Sequence, residues 1–120
     1  MNYKFDNERP IYIQLVELIK VDIISGKIKS GSKLSSVRDF AQDIKVNPNT
    51  MQKALMELER EGLIYTERTN GKYVTDNKKL IGNVRNAYAK TLTKTYINDM
   101  LNIGFTKEDI IKYINDEGRL

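Results

Sequence analysis

Apolar residues recur at the spacing of an α-helix along much of this chain, and the most sharply bounded run is predicted to extend from Pro48 to about Glu61. Asn47 can accept hydrogen bonds from the first free backbone amides, and proline suits the first helical position. Gly62 can adopt the left-handed conformation that ends a helix. The apolar positions form one stripe at i, i+3, i+4 and i+7: Met51, Ala54, Leu55 and Leu58. We therefore expect a helix with one buried face.

Two amphipathic runs precede this helix. The first is predicted to begin with Pro10 at its first helical position, to end before Gly26 and to serve as scaffold. Its apolar face comprises Tyr12, Leu15, Val16, Ile19 and Ile23. The second has Ser36 as its N-cap with Asp39 three residues later, and it turns inward Val37, Phe40, Ala41 and Ile44. Because only a short turn at Lys45 separates the second run from the following helix, the two are predicted to form a helix-turn-helix unit.

The outer face of the second helix in this pair is polar over its first turns. These turns lie near the positive end of the helix dipole, and none of the outward side chains is a large hydrophobe that requires burial. A helix pair of this kind can place its second helix in a DNA major groove. The residues expected to meet phosphates and base edges are Asn49, Thr50, Gln52 and Lys53.

The hydrophobic period changes after this helix, where strand-forming residues flank a turn. Residues 63–66 and 72–75 are predicted strands, and the Asn70-Gly71 pair is typical of a type I′ turn, which requires positive φ at both central residues. A two-stranded hairpin that follows a recognition helix is a wing, and its tip can reach a phosphate or a minor groove. The candidate contacts at or beside the tip are Arg68, Asn70 and Lys72. The alternative is that these residues supply only polar turn chemistry.

Residues 77–120 are predicted to form a long helix from Lys79 to about Asn102 and a shorter one that Thr106 caps and Gly118 ends. The apolar faces are too large for the two helices to cover by themselves, so we expect burial against a second copy of the chain. The alternative is that this helical hairpin packs on its own winged helix. The expected interface residues are Ile81, Val84, Tyr88, Leu92, Tyr96, Met100, Ile103, Ile110, Ile111 and Ile114.

These elements predict a fold that is mainly α with a small β-hairpin wing. A winged helix-turn-helix domain is expected at residues 1–76, followed by a C-terminal two-helix hairpin at residues 77–120. The chain of 120 residues contains neither cysteine nor histidine. This composition excludes disulfides, thiolate metal sites and a histidine base. We therefore expect no enzyme activity, no metal site and no cofactor.

Charge favours a polyanionic partner, since the net charge is +4 and the isoelectric point is about 9.2. Lys27, Lys29, Lys33 and Arg38 follow one another with no acidic residue between them, which makes the approach to the helix pair basic. A solvated loop is the alternative interpretation of this cluster. No apolar run is long enough to cross a bilayer and no signal-peptide pattern opens the chain, so we expect a cytoplasmic protein without a membrane partner.

The order of these elements leads to a family resemblance between about Pro10 and Val74. It is carried by PIYIQL (10–15), GKIKSG (26–31), LSSVRDFA (34–41), VNPNT (46–50), AL (54–55), LEREGLI (58–64) and GKYV (71–74). In combination these segments resemble the GntR family of bacterial winged-helix transcription regulators. The sequence departs from the family at Ser35, where members commonly have proline, and in a wing that is less basic and less rich in glycine.

The resemblance implies a DNA-binding domain that contacts an operator through the two helices and the wing. The residues assigned to this contact are Lys33, Ser36, Arg38, Asn47, Asn49, Thr50, Gln52, Lys53, Arg68, Asn70, Gly71 and Lys72. The short tail resembles that of the YtrA subfamily, which implies dimerisation through the C-terminal helices and a palindromic operator. Subfamily resemblance also suggests transporter genes as targets, and the leading hypothesis is a repressor that occludes promoter DNA. A small-molecule effector site between the tail helices and the wing, near Tyr88 or Tyr96, is a further hypothesis, with a core position of these two aromatic residues as the alternative. A protein-interaction module without DNA binding is the second hypothesis, for which Met56 is the only apolar anchor on the helix.

Overall fold

The computed structural model describes residues 2–118, which form five helices and one two-stranded antiparallel sheet. In chain order the elements are α1 (Ile11–Ile24), α2 (Val37–Ile44), α3 (Pro48–Arg60), β1 (Ile64–Glu67), β2 (Gly71–Val74), α4 (Lys78–Asn102) and α5 (Lys107–Glu117). The predicted fold class, mainly α with a β-hairpin wing, is confirmed. The chain divides into two compact units, Met1–Val84 and Arg85–Leu120. This division falls within α4, whereas the sequence places the boundary after residue 76.

Side-chain hydrogen bonds cap the starts of α2 and α3, and a left-handed residue lies in the connection between the two helices. The Oγ atom of Ser36 accepts from the Asp39 amide at 3.1 Å, and Asn47 Oδ1 accepts from the Asn49 amide at 2.7 Å. Lys45 has a φ of 66° and is the one residue other than glycine with positive φ in residues 2–118. Because a left-handed residue ends a helix abruptly, α3 can begin after a very short connection.

The core of the first unit is centred on the predicted apolar stripe of α3. All four stripe residues have no exposed surface, and neither do Leu15 and Ile19 of α1. Phe40 and Ala41 of α2 join the same cluster. The first helix differs from its prediction by one position, because Pro10 is its N-cap rather than its first helical residue. Burial of apolar surface on α1, α2 and α3 therefore holds α3 with its opposite face outward.

The wing pairs Ile64 with Val74 and Glu67 with Gly71, so each strand lies one residue nearer the tip than predicted and a three-residue loop joins them. The amide of Asn70 donates to the Glu67 carbonyl at 3.2 Å, and of the Asn70-Gly71 pair only Gly71 has positive φ, at 109°. The predicted type I′ turn is therefore wrong, since it requires positive φ at both positions. A third stretch lies beside β2, where the amide of Val74 donates to the Ser32 carbonyl at 2.9 Å.

The second unit contains most of α4 and all of α5. Gly104 with a φ of 99° follows α4, and Thr106 and Asp109 form a reciprocal capping box at the start of α5, as predicted. Hydrogen bonds from the Thr106 amide and hydroxyl lower the pKa of the Asp109 carboxyl. Ile110 is buried, and the rings of Phe105 and Tyr113 meet edge to face at 5.3 Å. None of the helices within residues 2–118 is long and apolar enough to span a bilayer.

Several residues assigned to the dimer interface are already packed within one chain. Ile81 and Val84 pack against the core of the first unit, and Ile110 is only 2% exposed. These three side chains thus bury surface within one chain, because the hydrophobic pattern of a helix does not distinguish intramolecular from intermolecular burial, and their place in a dimer interface stays a prediction. The large apolar side chains that stay exposed in the second unit are Leu92, Tyr96, Leu101, Ile103, Ile111, Tyr113 and Ile114.

Candidate nucleic-acid interface

The polar face at the start of α3 is open to solvent. Asn49, Gln52 and Lys53 are exposed and Thr50 is half-buried, whereas Met51 between them has no exposed surface. The sequence-based prediction of which residues face outward is therefore correct for this helix. Asn47, also an expected DNA contact, caps the helix, because its Oδ1 atom accepts from the Asn49 amide. The first turns of α3 thus present amide and ammonium groups beside free helix amides, a combination that suits phosphates and base edges.

The start of α2 lies beside the wing and shares a cleft with it. Residues 33–37 form one wall and residues of the wing form the other, around a cavity of about 340 Å³. The cleft brings together five of the predicted contacts, namely Lys33, Ser36, Asn70, Gly71 and Lys72. Arg38, on the first turn of α2, is exposed, and its guanidinium has no hydrogen bond or ion pair with any residue of the described chain. This edge of the unit therefore carries cationic groups that are available to an anion.

Lys72 differs from the expected wing contact because it faces α3. Its Nζ atom lies 3.4 Å from Glu59 Oε2 and donates to Thr66 Oγ1 at 3.0 Å, and the Thr66 hydroxyl donates to Glu59 Oε1 at 2.6 Å. The Lys72 side chain is only 16% exposed. Lys72 therefore joins the wing to the recognition helix. The period of two in a strand gives this signal, since Lys72 shares a face with the buried Val74.

The tip of the wing retains two of the predicted contacts. Arg68 is exposed within the three-residue loop, while Asn70 donates from Nδ2 to Glu67 Oε2 at 3.2 Å. The tip is thus partly occupied by its own hydrogen bond. Arg68 is left as the cation that projects from it.

Tyr12 of α1 lies against the recognition surface, although the sequence assigns it to the scaffold. The Nζ atom of Lys53 is 3.8 Å from the centroid of its ring, well within the range of a cation–π interaction. The only signal in the sequence is an aromatic residue in an otherwise aliphatic stripe. An aromatic residue on such a stripe more often belongs to a core, so its role becomes visible only in the structure.

Comparison with known proteins agrees with this geometry. Residues 11–74 match the family model described as "Bacterial regulatory proteins, gntR family". The chain belongs to the GntR family. Over 114 residues it is 30% identical to the uncharacterized HTH-type transcriptional regulator YhcF of Bacillus subtilis, covering 95% of this chain and 94% of YhcF.

The HTH-type transcriptional repressor YtrA of Bacillus subtilis is 49% identical over 70 residues, which are 58% of this chain and 54% of YtrA. This match therefore spans about half of the relative. A GntR family transcriptional regulator from Listeria monocytogenes has a similar structure, with a TM-score of 0.88 and 43% identity over 93% of this chain and 98% of that one. The expected resemblance to GntR regulators of the YtrA type is confirmed.

The DNA-binding domain of AraR, solved in complex with operator ORX1, is also similar to this chain. The two have a TM-score of 0.55 and 26% identity over 62% of this chain and 95% of the AraR domain. Together with the family match, this similarity identifies the GntR protein described here as a DNA-binding transcription regulator. Its relatives are named as regulators of transcription rather than as enzymes.

The contact between the wing and α3 in this GntR protein is expected to weaken in acid. The hydrogen bond from the Thr66 hydroxyl and then the charge of Lys72 lower the pKa of the Glu59 carboxyl below its ordinary value of 4.5. A lowered pKa stabilises the fold above the unfolded-state pKa, and this stabilisation is lost as the pH falls through the folded-state pKa. Glu59→Gln should lower Tm at neutral pH, because the charge of Glu59 is lost, and should lower it by less in acid. The expected decrease is only roughly 1–5 °C, since water screens a partly exposed pair.

Thermal unfolding from pH 7 to pH 3 measures this difference. Glu8→Gln is the matched control, because Glu8 lies exposed before α1 and its side chain accepts no hydrogen bond from the described residues. A difference in Tm between Glu59→Gln and the unchanged protein that is the same at every pH would contradict a contribution from ionised Glu59.

Proposed function

We propose that this protein is a homodimeric repressor that binds a palindromic operator and blocks access to a promoter. The observation that carries the proposal is the two-sided character of α3, whose apolar stripe is fully buried while Asn49, Gln52 and Lys53 stay exposed. An anionic partner such as a phosphate is favoured at the positive end of the helix dipole, where these exposed side chains form a polar face. Exposed Arg38 beside it supplies a cation for the DNA backbone.

Two copies are expected because the second unit exposes a row of apolar side chains. Leu92 and Ile103 of α4 are 56% and 69% exposed, and Ile114 of α5 is 54% exposed. Apolar surface of this kind on a chain of 120 residues favours association with another copy. A two-fold dimer would present two recognition helices to two half-sites of one operator.

Selection of bound fragments from genomic DNA tests this function and identifies the operator. The expected result is a short inverted repeat, bound with an affinity that falls as the salt concentration rises. Binding that is equal for all duplexes, or no binding to duplex DNA, would contradict it. The regulation of transporter genes and an effector near Tyr88 or Tyr96 stay predictions that the selected sites and ligand screens would test.

Gln52→Ala is expected to change which operator sequence the protein prefers. The carboxamide of Gln52 can make two hydrogen bonds to one adenine edge, and a bidentate contact of this type discriminates against other bases by roughly fivefold to a hundredfold. Titration of operators substituted one base pair at a time measures this discrimination. Met56→Ala is the matched control, since Met56 is 57% exposed on the same helix but has no polar group. Equal preferences in both variants would remove Gln52 from the reading face.

A further inference from the structure

Lys53 is the one exposed cation at the start of α3, and its ammonium does not project straight into solvent. It lies over the face of the Tyr12 ring, 3.8 Å from the centroid. The negative face of an aromatic ring attracts a cation at this distance. The ring therefore draws the end of the Lys53 side chain toward α1.

Tyr12 is itself held in a fixed position at the beginning of α1. Gln14, which is 3% exposed, donates from Nε2 to the Asp6 and Arg9 carbonyls at 3.0 and 2.8 Å and accepts from the Asp6 amide at 2.9 Å. Leu15 follows with no exposed surface in the core shared with α3. The first turn of α1 is thus fastened on both sides. The backbone that carries Tyr12 is therefore anchored, and the lysine is the partner with the longer, more flexible side chain.

We propose that Tyr12 is a positioning residue of the DNA interface, which holds the Lys53 ammonium on the α1 side of α3 for contact with a backbone phosphate. The inference rests on the proposed operator binding and refines it. An ammonium above a ring keeps its donors on the opposite side, where a phosphate oxygen can accept from them. Base reading then falls to Asn49 and Gln52, whereas the sequence alone groups Lys53 with them as residues that meet phosphates and base edges.

The two roles of Lys53 predict different results for Lys53→Ala. A phosphate contact releases about one counterion, so the slope of log affinity against log salt should become shallower by about 0.9, with the same loss for every operator variant. A base contact would instead relax the preference at one position of the operator. Titrations at several salt concentrations with the wild-type operator and its single-base variants separate these outcomes.

The role of Tyr12 is tested by comparing Tyr12→Phe, which keeps the ring, with Tyr12→Leu, which removes it. Tyr12→Leu should weaken operator binding by about twofold to tenfold, because a lysine that is not held in place loses side-chain freedom when it binds a phosphate, while Tyr12→Phe should bind as the unchanged protein does. In the Lys53→Ala background Tyr12→Leu should have no further effect, because the cation that it positions is absent. A structural role alone would give the same loss in both backgrounds.

A readout without DNA accompanies these titrations. In the free protein the ring current of residue 12 should shift the NMR signals of the Lys53 Cε protons upfield, both in the unchanged protein and in Tyr12→Phe, but not in Tyr12→Leu. Operator binding that is unchanged in Tyr12→Leu would overturn the positioning role while leaving the proposed function intact. Failure of the unchanged protein to select any operator would instead overturn the proposed function, and the NMR shifts would still report whether the contact forms.

Discussion

Replacing Leu92 and Ile103 together by aspartate is expected to convert the proposed dimer into a monomer and to weaken operator binding by roughly a hundredfold or more. Both side chains lie on α4, and they are more than half exposed in the single chain. Placing a carboxylate in an apolar interface carries a large desolvation cost, whereas on a free monomer surface it carries almost none. The loss is large because a dimer binds its second half-site at a high effective concentration, which a monomer cannot use.

Sedimentation equilibrium measures the oligomeric state, and titration of the selected operator measures the affinity. Asn98→Asp is the matched control, since it adds a carboxylate to an exposed position of the same helix without removing an apolar group. The unfolding temperature of each variant verifies that the fold is retained. A dimer that survives the double substitution, or an unchanged protein that is monomeric at all concentrations, would contradict the assignment of this surface.

Arg38→Ala should weaken operator binding by about tenfold to a hundredfold. Arg38 is exposed on the first turn of α2 and has no polar partner within residues 2–118, so its guanidinium can make two hydrogen bonds to a phosphate or a guanine. The substitution should leave the unfolding temperature nearly unchanged, because an exposed side chain without partners contributes little to the fold. Fluorescence anisotropy with labelled operator is the appropriate measurement.

Arg60→Ala provides the control for the loss of an arginine charge. Arg60 is also exposed, but it lies in the last turn of α3, far along the helix from its first turns, and pairs with Glu57. Arg60→Ala is expected to change operator affinity by no more than about twofold, since salt screens a charge that is distant from the first turns of α3. An equal effect of the two substitutions would show that net charge rather than the position of Arg38 determines binding.

Interactions between residues close in sequence were sufficient to predict the bounds and the two faces of α3. Asn47, Pro48 and Gly62 each act on the few backbone groups beside them, so the start and end of α3 follow from the sequence alone. The spacing of Met51, Ala54, Leu55 and Leu58 gives the buried face for a similar reason, because the helix itself sets which side chains point together. Once the buried face is known, the exposure of Asn49 and Gln52 on the opposite face follows.

The sequence by itself therefore determined the order of the elements, the N-caps of α2, α3 and α5, and the outward face of α3. Only the tertiary structure decided the three-residue loop of the wing and the contact of Lys72 with Glu59. It also decided the packing of Ile81 and Val84 against the core of the first unit and the position of the Lys53 ammonium over the Tyr12 ring. Each of these joins groups on different elements. The direction of a long side chain or the partner of an apolar face depends on what another element places beside it, which no local pattern specifies.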